Sequence, residues 1–524
     1  MAAIPLNPEK KPFKKGPDSD GLYRVGTLTY TKAGLAMLCV WLLWGDFCYT
    51  VMEGVTPSLI PVKLNELHAS NFEIGVLLGS IPSTVYTCLN PIISFKSDRF
   101  RSKWGRRIPF LLFSLPFILL GLIALAYFEP IATFLHTHLG ASVAQMPANK
   151  VAIYTLTTIN IVFTFFNTFL ASVFWYLFND VVPEHLLARF MSWFRLVSLA
   201  GQTLYSFFVV KYASSHFTEI YLCAAALYFV GFMLICLNVK EGEYPPPPEY
   251  VGGKTGPVAA VKTYLQDCHV FPHYWYQWIG NFLGSIGGSA GNIGAGAYTA
   301  FSLRFYHNLG IDVGTGDIGF IFGSIGLATA VLILVSGWLA DIFHPIRVVM
   351  AGVLVGFFLV LPANMIFLFW QPKSHAVAFW LVWGINVFLA APALALNGVS
   401  DPPLLMRLFP RSRYGQFCSV NAFWRMGGGI VGGGMAGAFL DYMVTLVGEH
   451  NAYFYIPVWQ FLFAIPCLFL FIGLYQSWKR HGGDDNYAAP VLEASHALGG
   501  HMPIVSGNPA ELDIPESERG PRQN

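Results

Sequence analysis

The chain has 524 residues, of which 55% are apolar and 11% charged, with a net charge of +2. Soluble domains carry about 25% charged residues, so this shortage excludes an ordinary soluble globular protein and points to an integral membrane protein. No nucleic-acid partner is expected, the net charge of +2 by itself saying nothing about one, and the eight cysteines contain no C-x-x-C pair that would mark a metal or redox site.

Residues 1–32 read as a basic, proline-containing cytoplasmic tail, and the first apolar run is too long for the core of a cleavable signal peptide. Apolar runs follow at 33–61, 73–95, 108–128, 151–178, 190–210 and 220–239, with an external loop between the third and fourth. Each is near or above the roughly 20 residues that cross a bilayer. Backbone groups in lipid need partners within their own segment, so the runs are predicted to be helices. Residues 240–270 form a cytoplasmic linker, because Pro245 to Pro248 cannot continue a helix. A second set of runs lies at 271–302, 317–340, 346–370, 374–397, 414–443 and 451–476, followed by a polar, disordered cytoplasmic tail over 477–524. The expected fold is all-α and membrane-embedded, with twelve helices in two six-helix halves, 33–239 and 271–476. The halves echo each other: Trp193-Phe194-Arg195 matches Phe423-Trp424-Arg425, and Asn179-Asp180 matches Ser400-Asp401. External loops hold Lys63, Lys150, Lys211, Arg304 and Lys373, while most other cations fall on the opposite side. That asymmetry predicts a plasma or bacterial inner membrane protein with both termini in the cytoplasm.

Four ionisable residues fall well inside spans: Asp46, Glu53, Arg195 and Arg425. A central charge costs about 2.5–3.5 kcal/mol on insertion scales, so these residues are expected to face a shared interior. They serve there as a solute or proton site, or as a static ion-pair lock. Asp46, Tyr49, Thr50 and Glu53 share one helical face, with the two acids about 10 Å apart along the axis. One acid is expected to hold solute hydroxyls while the other exchanges a proton. Asn160 and Asn167 lie on a polar stripe of the fourth span, and Asn281 and Asn292 on a glycine-rich seventh span. Such stripes line a solute path or glue helices together. The candidate solute residues are Asp46, Tyr49, Glu53, Asn160, Asn167, Trp175, Arg195, Asn281 and Arg425. Asp46 and Glu53 are the candidates for proton coupling, and no metal or other cofactor is expected.

The turn from Asn90 to Phe110 carries Lys96, Arg99, Arg101, Lys103, Arg106 and Arg107 beside Asp98. Asp98 is placed to accept charge-assisted hydrogen bonds from the arginines. Asp98, Arg99, Arg106 and Arg107, with Asp341 and Arg413 in the second half, are read as a gate that can be broken and remade. The run D-R-x-R-S-K-W-G-R-R-x-P in this turn resembles the glycoside–pentoside–hexuronide:cation symporters, a branch of the major facilitator superfamily. Gly45-Asp46-Phe47, Phe174-Trp175 and Arg195 with Ser198-Leu199-Ala200-Gly201 extend the resemblance over roughly residues 40–205. It implies alternating access and sugar-site roles for Asp46, Trp175 and Arg195. The family's sodium-site acids fall at Tyr86 and Asn90, and a second sugar-binding acid falls at Ala171. Sodium coupling at that site is therefore not expected. The reading is a monomeric, proton-coupled sugar symporter, not an enzyme. A sugar sensor with the transporter fold, or an exporter or uniporter of another small solute, are the alternatives.

Overall fold

In the computed structural model, the described residues are 22–25, 27–243, 268–291, 300–410, 414–483 and 487–490. Much of the predicted linker and of the C-terminal tail, with Asn292 and Arg413, lies outside them. After a short antiparallel pair of strands, the described chain is helical. It contains α1 (Lys32–Glu66), α2 (Asn71–Gly75), α3 (Ile81–Arg99), α4 (Ile108–Ala126), α5 (Ala148–Val181), α6 (Glu184–Phe208) and α7 (Phe217–Asn238). These are followed by α8 (Pro272–Gly288), α9 (Asp317–Ile342), α10 (Pro345–Val355), α11 (Leu361–Phe369), α12 (His375–Gly384), α13 (Ala391–Leu408), α14 (Tyr414–Val447) and α15 (Ile456–Arg480). Ten spans among the described residues are long and apolar enough to cross a bilayer. The more polar α6 and the 17-residue α8 complete the predicted twelve.

Three spans contain a single widened π turn, at Val76–Ser80, Gly356–Val360 and Ile385–Ala390. Each is followed two residues later by a proline: Pro82, Pro362 and Pro392. A proline ring presses on the carbonyl four residues back, here that of Leu78, Phe358 or Phe388, inside the π turn. Widening that turn absorbs the clash, and the helix runs on.

The boundaries differ from expectation in three places. The tenth span does not stop near residue 397: α13 continues through Pro402 and Pro403 to Leu408. Proline holds φ near its helical value, so the two rings remove donors without ending the helix. Asp401 is thereby inside a span. The expected external loop after the third span begins as a helix, Phe128–His138, with Glu129 and Pro130 in its first turn. The seventh span is not one continuous helix, since α8 ends at Gly288 and Ser289 to Gly291 leave it, with Gly291 at φ +97°.

The chain groups into two compact units, residues 1–60 with 88–249, and residues 61–87 with 250–524. In the first, α4 buries Leu111, Leu115, Ile118, Leu122 and Leu125, an apolar stripe at helical spacing, and packs on α5 and α7. In the second, α8 packs on α14 and α15 around Tyr274, Trp278, Phe409, Phe417, Leu474 and Trp478. There α2 and the π turn after it lie on α14 through glycines. A Cβ on Gly75 or Gly433 would run into the other's carbonyl, and one on Gly437 into the backbone of Asn71. Farther along α14, Asp441 accepts the free N–H groups of Asn71 (3.1 Å) and Phe72 (2.9 Å) at the start of α2. Gly433→Ala should therefore cost on the order of 1–3 kcal/mol by overpacking. The check is thermal unfolding in detergent, and an unchanged Tm would mean that the seam gives way freely.

Candidate functional site

In the first unit, the two acids of α1 look alike in sequence but have different neighbours. Asp46 is 1% exposed and accepts a 2.7 Å hydrogen bond from Ser198 Oγ of α6. Thr50 also bonds it, and Arg195, one turn before Ser198, adds a cation within electrostatic reach. Glu53 Oε1 accepts from Asn167 Nδ2 of α5 at 2.9 Å, and the carboxyl is also bonded by Tyr49. The orientation of the Asn167 amide is fixed from its other end, where Tyr228 of α7 donates to Oδ1 at 2.9 Å. Both hydrogen-bonding partners of Glu53 are neutral, so adding or removing a proton there breaks no ion pair.

Other predicted residues of this unit have plainer surroundings. Trp175 sits among aromatic rings, 4.9 Å from Phe194 and 5.9 Å from Phe178. Asn160 is buried with its Oδ1 unpartnered. Asn90, where the resemblance would place a sodium-site acid, accepts from Ser172 Oγ at 2.9 Å and so ties α3 to α5.

In the second unit, a polar cavity of about 490 Å3 opens beside α8. Asn281 and Ser285 line it from α8, Ser289 from just past its end, Arg425 from α14, and Asp401 from α13. Asn281 donates to Asn421 Oδ1 at 2.5 Å, and Arg425 lies within electrostatic reach of Asp401. The predicted solute residues Asn281 and Arg425 thus line one cavity, while the others belong to the first unit.

The basic turn has partners that the reading of its residues did not include. Arg106 Nε and Arg107 Nε both donate to Asp180 Oδ2, at 3.0 and 2.9 Å, from the far end of α5. Arg107 also donates to Ser97 Oγ at 2.6 Å. The N–H groups of Arg106, Arg107 and Ile108, at the start of α4, all point to the Glu241 carboxylate at 2.7–3.0 Å. A carboxylate at a helix start satisfies free donors and meets the positive end of the helix dipole. Gly105 reaches this geometry with φ +97°, and a side chain there would strike Glu241. The side chains of Asp98, Arg99 and Asp341 lie outside the described residues, as does Arg413.

Residues 42–433 match the family model of the Major Facilitator Superfamily. The chain belongs to that superfamily. Its fold is the twelve-helix fold of these membrane transporters. Among solved structures it is similar to a bacterial homologue of the human lysosomal transporter Spinster, with a TM-score of 0.59 and 14% identity over 85% of this chain and 99% of that one. It is also similar to a D-xylose–proton symporter, at 0.58 and 12% over 82% and 97%. The nucleoside transporter NupG aligns at 0.55 and 12% over 84% and 99%. At such identities the likeness speaks for fold alone. No curated protein matches the sequence.

For a major facilitator protein, the residues missed in sequence are informative. Asp401 lies beyond the predicted tenth span, 374–397, although Asn397, Ser400 and Asp401 share a helical face. Tyr228 stands alone in an apolar run and gave no polar stripe to notice. Asp180 and Glu241 lie far in sequence from the turn they hold, and no local pattern pairs them.

Proposed function

We propose that this major facilitator protein is a secondary active transporter that takes up a hydroxylated, sugar-like solute together with a proton. The supporting observation is the neutral setting of Glu53, a membrane carboxyl held by Asn167 and Tyr49 rather than by a cation. Such a group changes protonation without undoing an ion pair, which suits a coupling site. Asp46, with Ser198 and the nearby Arg195, supplies acceptors and a cation for solute hydroxyls in the first unit. The cavity lined by Asn281, Asp401 and Arg425 supplies the same chemistry in the second. The phenol at Tyr86 and the amide at Asn90, where the glycoside–pentoside–hexuronide branch has acids, weigh against its sodium site. By the distribution of its cations, the transporter sits in a plasma or bacterial inner membrane with both termini in the cytoplasm.

The test is uptake of labelled monosaccharides and disaccharides by proteoliposomes under an imposed proton gradient, a sodium gradient or neither. Accumulation that requires the proton gradient is the expected result. Accumulation that follows sodium alone would overturn proton coupling. Equilibration without accumulation would make the protein a uniporter, and absence of binding for every sugar would overturn the solute class.

A further inference from the structure

Two opposite charges share the polar cavity of the second unit without pairing. Among the described residues that line it, only Asp401 and Arg425 are charged. They lie within electrostatic reach of each other. Among the described residues, neither makes a hydrogen bond, and no direct ion pair joins them. One turn before Arg425 the situation is different. Asn421 Oδ1 accepts from Asn281 Nδ2 at 2.5 Å and from Gln277 Nε2 at 3.5 Å, which fastens α8 to α14. Arg425 is exposed and Asp401 half-buried, so both charged ends are offered to the cavity rather than sealed in protein.

A charge with little water and no partner is costly, and a bound group that supplies the missing hydrogen bonds offsets that cost. A guanidinium only donates, and a carboxylate only accepts. A solute hydroxyl does both. It accepts from Arg425, donates to Asp401, and bridges the gap that the two side chains leave open. Ser83, Ser285 and Ser289 add neutral partners around that gap. A solute carboxylate would meet Arg425 but stand against Asp401. A solute ammonium would meet Asp401 but stand against Arg425. Such like-charge contacts are weakly screened where water is scarce. The opposed charges therefore favour solutes without net charge.

We propose that Asp401 is a specificity-determining residue which, set against Arg425, excludes acidic solutes from this cavity. Resting on the sugar-uptake reading, this makes the transporter select neutral sugars over hexuronates, while Arg425 excludes amino sugars in the same way. Without the charge of Asp401, Arg425 is an unopposed cation whose planar fork fits a carboxylate.

The experiment measures binding to the full chain in nanodiscs by calorimetry at neutral pH. The glucose probes differ only at carbon six: methyl glucoside, methyl glucuronide, the uncharged amide of that glucuronide, and methyl 6-amino-6-deoxyglucoside. The galactose series is run beside them. The parent should bind the glucoside and the amide at least tenfold more tightly than either charged probe. Asp401→Asn should raise affinity for the glucuronide relative to its amide by at least tenfold, or about 1.4 kcal/mol. Arg425→Gln should shift preference the opposite way, raising the amine relative to the neutral glucoside. Opposite shifts of two ratios separate charge selection from a folding defect, which weakens all probes together. A parent that binds the glucuronide as tightly as its amide overturns the exclusion. An unchanged ratio in Asp401→Asn overturns it too, as does an equal loss of affinity for all four probes. In each of these cases the sugar reading stands. Failure of every probe of both series to bind the parent overturns the sugar reading, and this inference with it.

Discussion

Glu53→Gln should abolish proton-driven accumulation while leaving solute exchange intact. A pH difference of one unit is worth about 1.4 kcal/mol per proton, which supports at most about tenfold accumulation at a stoichiometry of one. With the carboxyl replaced, the inside-to-outside ratio should fall to one under the same gradient. Glutamine keeps an amide oxygen at the position that accepts from Asn167 Nδ2. The link through Asn167 to Tyr228 is therefore preserved, and alternation of the loaded carrier should persist. Counterflow of labelled against unlabelled solute at equal pH reads that alternation directly and should stay within a few-fold of the parent. Asp46→Asn should behave differently. It removes the counter-charge near Arg195 and one acceptor from Ser198, so binding and counterflow should both weaken. Accumulation retained by the Glu53 variant would remove this residue from the coupling role. Loss of counterflow as well would make Glu53 a solute ligand or a structural group instead.

The contrast between these two acids shows where the sequence stops being informative. Hydropathy located ten spans directly, because twenty-residue apolar runs leave few alternatives in lipid, while α6 is more polar and α8 shorter. The spacing of Asp46 and Glu53 put them on one helix with Tyr49 and Thr50, but their partners Ser198 and Asn167 come from α6 and α5, more than a hundred residues away. Nothing in the local pattern of α1 says that Arg195 lies near the first acid and neutral groups surround the second. The apolar run of the tenth span ends near residue 397, whereas the helix runs on through Pro402 and Pro403 and brings Asp401 to the cavity of Arg425. The π turns before Pro82, Pro362 and Pro392 were invisible for a related reason. A widened turn adds one residue to the helical count without changing composition. The seam of α2 on α14 was half legible. Glycine runs announced close packing, but the partner of Gly433 is Gly75, and a one-dimensional pattern does not name partners.

Asp180→Ala should be the most destabilising single substitution in the basic turn. Asp180 is the acceptor shared by Arg106 and Arg107, and side-chain exposures of 10% for the acid and 5% for Arg107 place that pair away from water. Removing one partner of a buried ion pair costs about 3–5 kcal/mol, because the charge left behind has lost its hydration as well as its partner. That is a large share of the roughly 5–15 kcal/mol that stabilises a typical fold. Arg107 keeps Ser97 and the face of Tyr176, 5.1 Å from its guanidinium, so the loss should fall toward the lower end of the range. The measurement is thermal unfolding in detergent, with Arg107→Leu and the double variant beside it. Coupled residues do not add, so the double variant should be more stable than the sum of the two losses predicts. The same proteins separate a fixed fastening from a gate. If Asp180 only fastens the turn to α5, counterflow well below the new melting point should run at the parental rate. If the arginines release Asp180 during each cycle, the substitution removes an interaction from one state alone. Exchange should then speed up or slow down by several-fold while binding of solute is unchanged. A Tm within 1 °C of the parent would show that water and the remaining partners replace Asp180, and the buried pair would lose its structural role.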